Sequence, residues 1–209
     1  GTSIVFLLMI ASNLVNDIYD VKSDKINNPN RPLVKFPKLK LPFQVFSLIS
    51  FVVSLFLSAF ISNIIFLIVL LSVPILFLYT PFLKGIPLVG NITVSFYLAF
   101  VFIFIEICIS GNASIMILPA GFAFGISLIR ELIKDAEDYR GDKLAKINTL
   151  PVYVGIKKTI YISCFLMFLF LLFCASLIPL KNNIYYNISV FFLVFMPIFY
   201  LIFFLIKDP

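Results

Sequence analysis

Histidine and tryptophan are both absent from this chain, and charge is scarce: 12% of its 209 residues are Asp, Glu, Lys or Arg. A soluble domain carries about 25%. Without histidine, a divalent-metal site must be built from oxygen ligands, which favours Mg2+ over zinc. Without tryptophan, tyrosine and phenylalanine must supply any aromatic belt at a membrane interface. The three cysteines, Cys108, Cys164 and Cys174, lie inside apolar runs with no C-x-x-C spacing, so they read as packing residues. No linker or low-complexity tract divides the chain, and 1–209 reads as a single domain. The alternating pattern of an outer-membrane barrel is missing as well.

What remains is apolar: 62% of the residues are hydrophobic, in runs of about 20 residues. Runs of that length suit helices crossing a hydrocarbon core about 30 Å thick. The expected fold class is all-α, a polytopic transmembrane helix bundle. Seven spans are expected, at about 3–20, 43–61, 64–80, 88–109, 114–134, 159–178 and 186–206. Alternating their sides places every Lys and Arg except Lys181 on one side, 15 of 16. The positive-inside rule makes that side cytoplasmic. Gly1 then lies outside and Pro209 inside, which suggests a helix missing at each end.

Against that background one pattern occurs twice. The first copy, NDIYDVKSDK, holds Asn16, Asp17, Asp20, Asp24 and Lys25; the second, KDAEDYRGDK, holds Asp135, Asp138, Asp142 and Lys143. Both read D-x2-D-x3-D-K, and each ends a long apolar segment at the cytoplasmic side. On a helix, positions i, i+3 and i+7 share one face. Each trio therefore forms an acidic stripe, and Glu131 extends the second by one turn. Like charges so placed repel by roughly 0.2–0.5 kcal/mol per neighbouring pair even in water, and by more near lipid. Matched stripes imply a cation that neutralises them. The expected metal ligands are Asn16, Asp17, Asp20, Asp24, Asp135, Asp138 and Asp142. The plain alternative is a pair of solvated helix ends with ordinary surface charge.

The copies are offset by 118 residues, or four spans, which reads as a parallel repeat of about 1–110 and 113–209. Asn-Pro-Asn-Arg-Pro at 28–32 is turn chemistry, and Pro37 and Pro42 are expected to keep the rest of that loop from continuing a helix. A third signal lies in YTPFLKGIPLVGN, with Tyr79, Lys84 and Asn91 among Pro74, Pro81 and Pro87. A lysine at a helix end usually snorkels; here Lys84 can also meet a phosphate. Glu106, near the outer end of its span, is expected to reach the interface or pair locally.

These stretches carry a resemblance. NDIYDVKSDKINNPNRPL resembles the first signature, NDxxDxxxD, of the UbiA-type intramembrane prenyltransferases. RELIKDAEDYRGDKLAKINTLPVYVG resembles their second aspartate-rich signature, with DxxxD at Asp138 and Asp142. YTPFLK followed by Asn91 is similar to the family's Tyr/Lys segment. The phrases NDIYDxxxDKINxPNRP and KDxEDxxGD are most similar to the archaeal-type digeranylgeranylglyceryl phosphate synthases.

The resemblance implies a nine-helix bundle, of which seven spans are present, around a cavity open to lipid. It implies Mg2+-dependent transfer of a prenyl group, geranylgeranyl, from prenyl diphosphate to a lipid acceptor, geranylgeranylglyceryl phosphate. The acceptor is an aromatic compound in related enzymes of quinone, haem and chlorophyll synthesis. Asp17, Asp20, Asp24, Asp135, Asp138 and Asp142 then hold the metal that clamps the diphosphate. Asn16, Lys25, Arg31, Tyr79, Lys84, Asn91, Arg130, Lys134, Arg140 and Lys143 are the candidate substrate contacts. Two other classes fit the apolar bundle: a cation transporter, which needs charged residues at mid-span, and an inactive scaffold.

Overall fold

The computed structural model describes residues 1–181 and 183–207, so Pro209 lies outside the described residues. Helix is the regular structure throughout them, and no strand occurs. In lipid this is required: a helix satisfies its backbone hydrogen bonds within one segment. The helices are α1 (Thr2–Asn27), α2 (Pro32–Lys35), α3 (Lys40–Ala59), α4 (Asn63–Leu78), α5 (Val89–Ser110) and α6 (Ile117–Glu137). They continue as α7 (Tyr139–Ala145), α8 (Leu150–Val154), α9 (Ile156–Lys181), α10 (Ile184–Val190) and α11 (Met196–Lys207). Single π turns at Tyr79–Leu83 and Phe191–Phe195 extend α4 and join α10 to α11.

Among the described residues, six helical stretches are long and apolar enough to cross a membrane. The seventh expected span is α6, a helix of 21 residues. Its last turns carry Arg130, Glu131 and Lys134, too much charge for it to be counted with the others. The chain is a multi-pass membrane protein.

The prolines behave differently from expectation. Pro32 opens α2, Pro37 opens a short 3-10 turn, and Pro42 lies within the first turn of α3. The first turn of a helix has no intrahelical partner for its N–H groups, so a residue lacking one is tolerated there. The segment expected as an irregular loop is thus largely helical, and α1 continues to Asn27 instead of stopping near residue 20.

Two helix pairs dominate the packing, α1 with α3 and α5 with α6. The buried face of α3 is Ser47, Ser50, Phe51, Ser54 and Ser58. Such small side chains let two backbones approach closely, the usual basis of helix association in lipid. Ser47, Ser54 and Ser58 donate their hydroxyls to carbonyls one turn back, at 2.7–2.9 Å, so none is left unpaired. Ala11 and Val15 of α1 meet Phe51 in that contact. A second approach joins α6 to α9, where a Cβ on Gly125 would stand 2.5 Å from the Phe170 ring.

Glu106 settles into local pairing. Its carboxylate accepts the N–H groups of Ser114, Ile115 and Met116 at 2.8–3.0 Å, and the Ser114 hydroxyl at 3.2 Å. These groups lie just before α6, where free N–H groups attract negative charge. The ends of α5 and α6 that flank Glu106 are stitched together, and their other ends reach the acidic stripes. The three cysteines are free, with Cys164 and Cys174 buried, as packing residues should be.

Candidate active site

Between the helices lies a cavity of about 420 Å3. One end is apolar, with Val5, Leu8, Val69, Phe100 and Phe104; the other holds Asn16, Tyr79, Lys84, Glu131, Asp135, Asp138 and Asp142. Arg130 and Lys134 also line the polar end. The second aspartate segment enters this space with three carboxylates; the first enters with Asn16, while Asp17, Asp20 and Asp24 stand outside its lining and Asp20 reaches it through Lys84.

The first stripe lies on the unbroken helix α1, and spacing alone places it correctly. Asp20 and Asp24 are buried, and Asp17 is half-buried. Lys84 donates to Asp20 Oδ2 at 2.5 Å, and Arg31 pairs with Asp17 while its Nε stands 3.9 Å from Asp24 Oδ1. Asn16 accepts the Thr80 hydroxyl at 3.2 Å. Two cations are therefore already seated on the stripe. Burial disfavours the charged form of Lys84, but Asp20 outweighs it and raises its pKa above the ordinary lysine value.

The second stripe departs from expectation. It is not one straight helix: α6 ends at Glu137, Asp138 is the joint, and α7 begins at Tyr139. A single bond, Asp142 N–H to Asp138 C=O at 3.1 Å, carries the turn across the joint. Asp135 is held by the Asn91 side chain at 2.8 Å, and Asp142 accepts the Thr149 hydroxyl at 3.3 Å. Burial pushes the Asp142 carboxyl up to about 6 against the pull of Lys84, and the neighbouring carboxylates add to the rise.

One residue with no assigned part in the sequence reading joins the two stripes. The Asn27 side chain donates to Asp138 C=O at 2.9 Å and accepts the Gly141 N–H at 3.0 Å. A Cβ on Gly141 would stand 2.3–2.6 Å from that amide. The signal was present in the sequence: a glycine between two aspartates on a charged helix, where nothing else asks for one.

The other candidates divide. Tyr79, Lys84, Arg130 and Lys134 line the cavity; Arg31 and Asn91 act on the carboxylates themselves. Lys25, Arg140 and Lys143 are exposed and do not line this cavity. Lys143 bonds instead to the Tyr139 hydroxyl at 3.0 Å.

Among the described residues, no three acidic or sulfur side chains close on one point as a protein-only metal cage requires. Mg2+ seldom needs such a cage, since it keeps waters and takes one or two carboxylates plus substrate phosphates. The donors fit it: they are all oxygens, and the buried Asp20 Oδ1 has no hydrogen-bond partner.

The sequence pattern of the UbiA prenyltransferase family matches residues 1–209. Digeranylgeranylglyceryl phosphate synthase of Methanococcus maripaludis strain C7 is 36% identical, across 99% of this chain and 73% of that protein. The Pyrococcus furiosus protein of that name is 34% identical, across 87% of this chain and 64% of its own length. The chain thus spans roughly two thirds of these relatives. A solved structure of digeranylgeranylglyceryl phosphate synthase superposes with a TM-score of 0.69 at 31% identity, covering 99% of this chain and 74% of the other. A UbiA homologue from Archaeoglobus fulgidus, solved with DMAPP and Mg2+, gives 0.72 at 18% identity, covering 98% and 76%. That likeness speaks to the fold.

Proposed function

The chain belongs to the UbiA prenyltransferase family, and from that premise we propose that it transfers geranylgeranyl from its diphosphate to geranylgeranylglyceryl phosphate. A cavity that is apolar at one end, and at the other holds Asn16, Asp135, Asp138, Asp142 and a Lys84 paired with Asp20, carries this reading. A prenyl diphosphate has the same polarity: a charged head and a long apolar tail. The M. maripaludis and P. furiosus relatives support the choice of acceptor, and the A. fulgidus homologue, bound to a prenyl diphosphate and Mg2+, supports the choice of donor.

Asn16, Asp17, Asp20 and Asp24 on one side, and Asp135, Asp138 and Asp142 on the other, would hold Mg2+. The ion supplies positive charge that neutralises the diphosphate as it departs. Lys84 and Arg31, which pair with the carboxylates, would also offer their charge to the diphosphate oxygens. Asn91 and Thr149 keep Asp135 and Asp142 oriented. The C1–O bond breaks, diphosphate leaves, and a hydroxyl oxygen of the acceptor bonds C1 and releases its proton. The apolar walls exclude water that would otherwise capture the allylic cation. We assign the polar end to the cytoplasmic face on the distribution of Lys and Arg, and we read the two aspartate segments as the matching ends of a repeated four-helix unit.

The test is transfer of labelled geranylgeranyl to geranylgeranylglyceryl phosphate, with 4-hydroxybenzoate as the competing acceptor, with and without Mg2+. Metal-dependent product on the glyceryl phosphate lipid is expected. Product on the aromatic acceptor alone, or turnover indifferent to metal, overturns the reading.

A further inference from the structure

A second groove, of about 480 Å3, lies beside the first and opens between α6, α9 and the α11 segment. Ile129 and Ile133 of α6, Met167 and Phe170 of α9, and Val194 and Ile198 line it. Ile129, Met167 and Phe170 are buried, and Val194 and Ile198 pack against them. At the end where α6 becomes charged, the lining changes to Arg130, Lys134 and Glu137. Arg130 and Lys134 also line the central cavity, so the two spaces meet at this pair of cations.

The proposed reaction joins two molecules that each carry a long isoprenoid tail and an anionic head. Each space falls in the range that holds one ligand of moderate size, ~300–1,000 Å3. Two tails therefore need two spaces, and their heads must meet. We infer that the groove between α6, α9 and α11 holds the hydrocarbon tail of the acceptor lipid, with its phosphate on Arg130 and Lys134.

Several observations favour that occupant over a bulk lipid or a partner helix. The basic pair supplies the complement to a phosphate monoester. Glu131 takes one contact with Arg130, at 2.6 Å, yet 65% of the Arg130 side chain stays exposed. Glu131 and Glu137 together balance the two cations, so it is the exposed guanidinium of Arg130, not a net positive charge, that offers a phosphate its partner. From Ile126 to Lys134, α6 rises ~12 Å, so the groove runs from the charged end of the helix to its middle. A phosphate at the charged end places the adjoining glycerol hydroxyl toward the cavity holding the diphosphate.

The proposal rests on the reading of the enzyme as a glyceryl phosphate prenyltransferase. It is tested with geranylgeranylglyceryl phosphate carrying a photoactivatable diazirine at its tail end, irradiated with the full enzyme in bilayers. Labelling of Met167, Phe170, Val194 or Ile198, suppressed by excess unlabelled acceptor, is the expected result. Labelling of Val101 or Phe104 instead, or labelling that excess acceptor does not suppress, overturns it. A second arm uses Val194→Trp. The KM for the long-tailed acceptor should rise at least tenfold, while those for prenyl diphosphate and for a short-tailed glyceryl phosphate stay within twofold; equal KM values for all three refute the assignment. Transfer by the unmodified enzyme is measured in the same preparation. If no glyceryl phosphate lipid is prenylated, the parent reading fails and this one with it; if transfer proceeds but labelling falls outside the groove, this one fails alone.

Discussion

Asn27 and Gly141, 114 residues apart, meet with no room between them: the Asn27 amide oxygen accepts the Gly141 N–H at 3.0 Å. The same amide donates to Asp138 C=O at the joint between α6 and α7. One side chain on the first aspartate helix thereby fixes where the second stripe turns. The two stripes are joined here by the Asn27 amide and backbone groups of the second stripe, and the contact uses none of the carboxylates.

Substituting either member should separate the stripes. Asn27→Ala leaves two part-buried backbone groups unpaired, at about 1–3 kcal/mol. Gly141→Ala drives a methyl group into the amide. Both variants should require at least tenfold more Mg2+ for half-maximal turnover, and Asn27→Asp should recover only part of the loss, because it cannot donate to the Asp138 carbonyl. Metal titrations of steady-state transfer would decide it. An unchanged Mg2+ requirement alongside a lowered melting temperature would reduce Asn27 to a purely structural role.

Lys84 leads to a different outcome. Its ammonium lies against Asp20 on the cavity wall. Removing one partner of a buried pair leaves the other charge uncompensated, worth about 3–5 kcal/mol in the deepest cases. Lys84→Met should therefore lower the melting temperature of the metal-free protein. Mg2+ should then raise that temperature by more than it does in the unmodified protein, because the ion replaces the lost cation. Activity should fall at least a hundredfold, since the diphosphate also loses a contact. Equal Mg2+ shifts in both proteins would show that Lys84 does not stand in for the metal.

The acidic stripes were legible because helical spacing is local: Asp17, Asp20 and Asp24 occupy one face whatever the surroundings. The apolar spans were legible for the same reason. The break at Asp138 was not, since a break in a helix depends on what packs against it, and here that is Asn27 of α1. Asn91 was read as a substrate contact, and its amide lies on Asp135, a pairing that spacing could not show because it joins two different helices. Pro42 misled because a proline forbids a helix interior, yet fits a first turn. Lys25, Arg140 and Lys143 were grouped with the site by proximity in sequence, and the helices turn them outward.

Acid should weaken the site through Asp142. Its carboxyl titrates at about 6, up from 3.8. Between those values the folded protein holds a proton that the unfolded chain has released, so this group's contribution to stability falls as pH rises through the window. The bare site is thus relieved by protonation, whereas a cation needs the carboxylate. Binding of Mg2+ with prenyl diphosphate should release protons near pH 6 and weaken below it, and Asp142→Asn should reduce that release. Calorimetric titration in two buffers of different ionisation enthalpy measures the protons directly. A heat independent of buffer at pH 6 would remove Asp142 from the metal site.

The far end of the cavity sets the last expectation. Phe104 is 4% exposed and packs with Ile4, Ile65 and Val69, closing the apolar end. From Thr93 to Phe104, both on the cavity wall, α5 rises ~16 Å. If the prenyl tail lies along this wall, Phe104 is where it stops. Phe104→Ala removes the ring and opens space below, at a stability loss of about 3–5 kcal/mol. The variant should accept a 25-carbon prenyl diphosphate at least ten times better, relative to the 20-carbon one, than the unmodified enzyme does. Competition between the two donors, read by mass spectrometry, gives the ratio within a single sample. An unchanged ratio in a variant that still binds Mg2+ and diphosphate would mean that the tail leaves the cavity before it reaches Phe104. The length of the transferred chain would then be set elsewhere, at the lipid-facing side of the bundle.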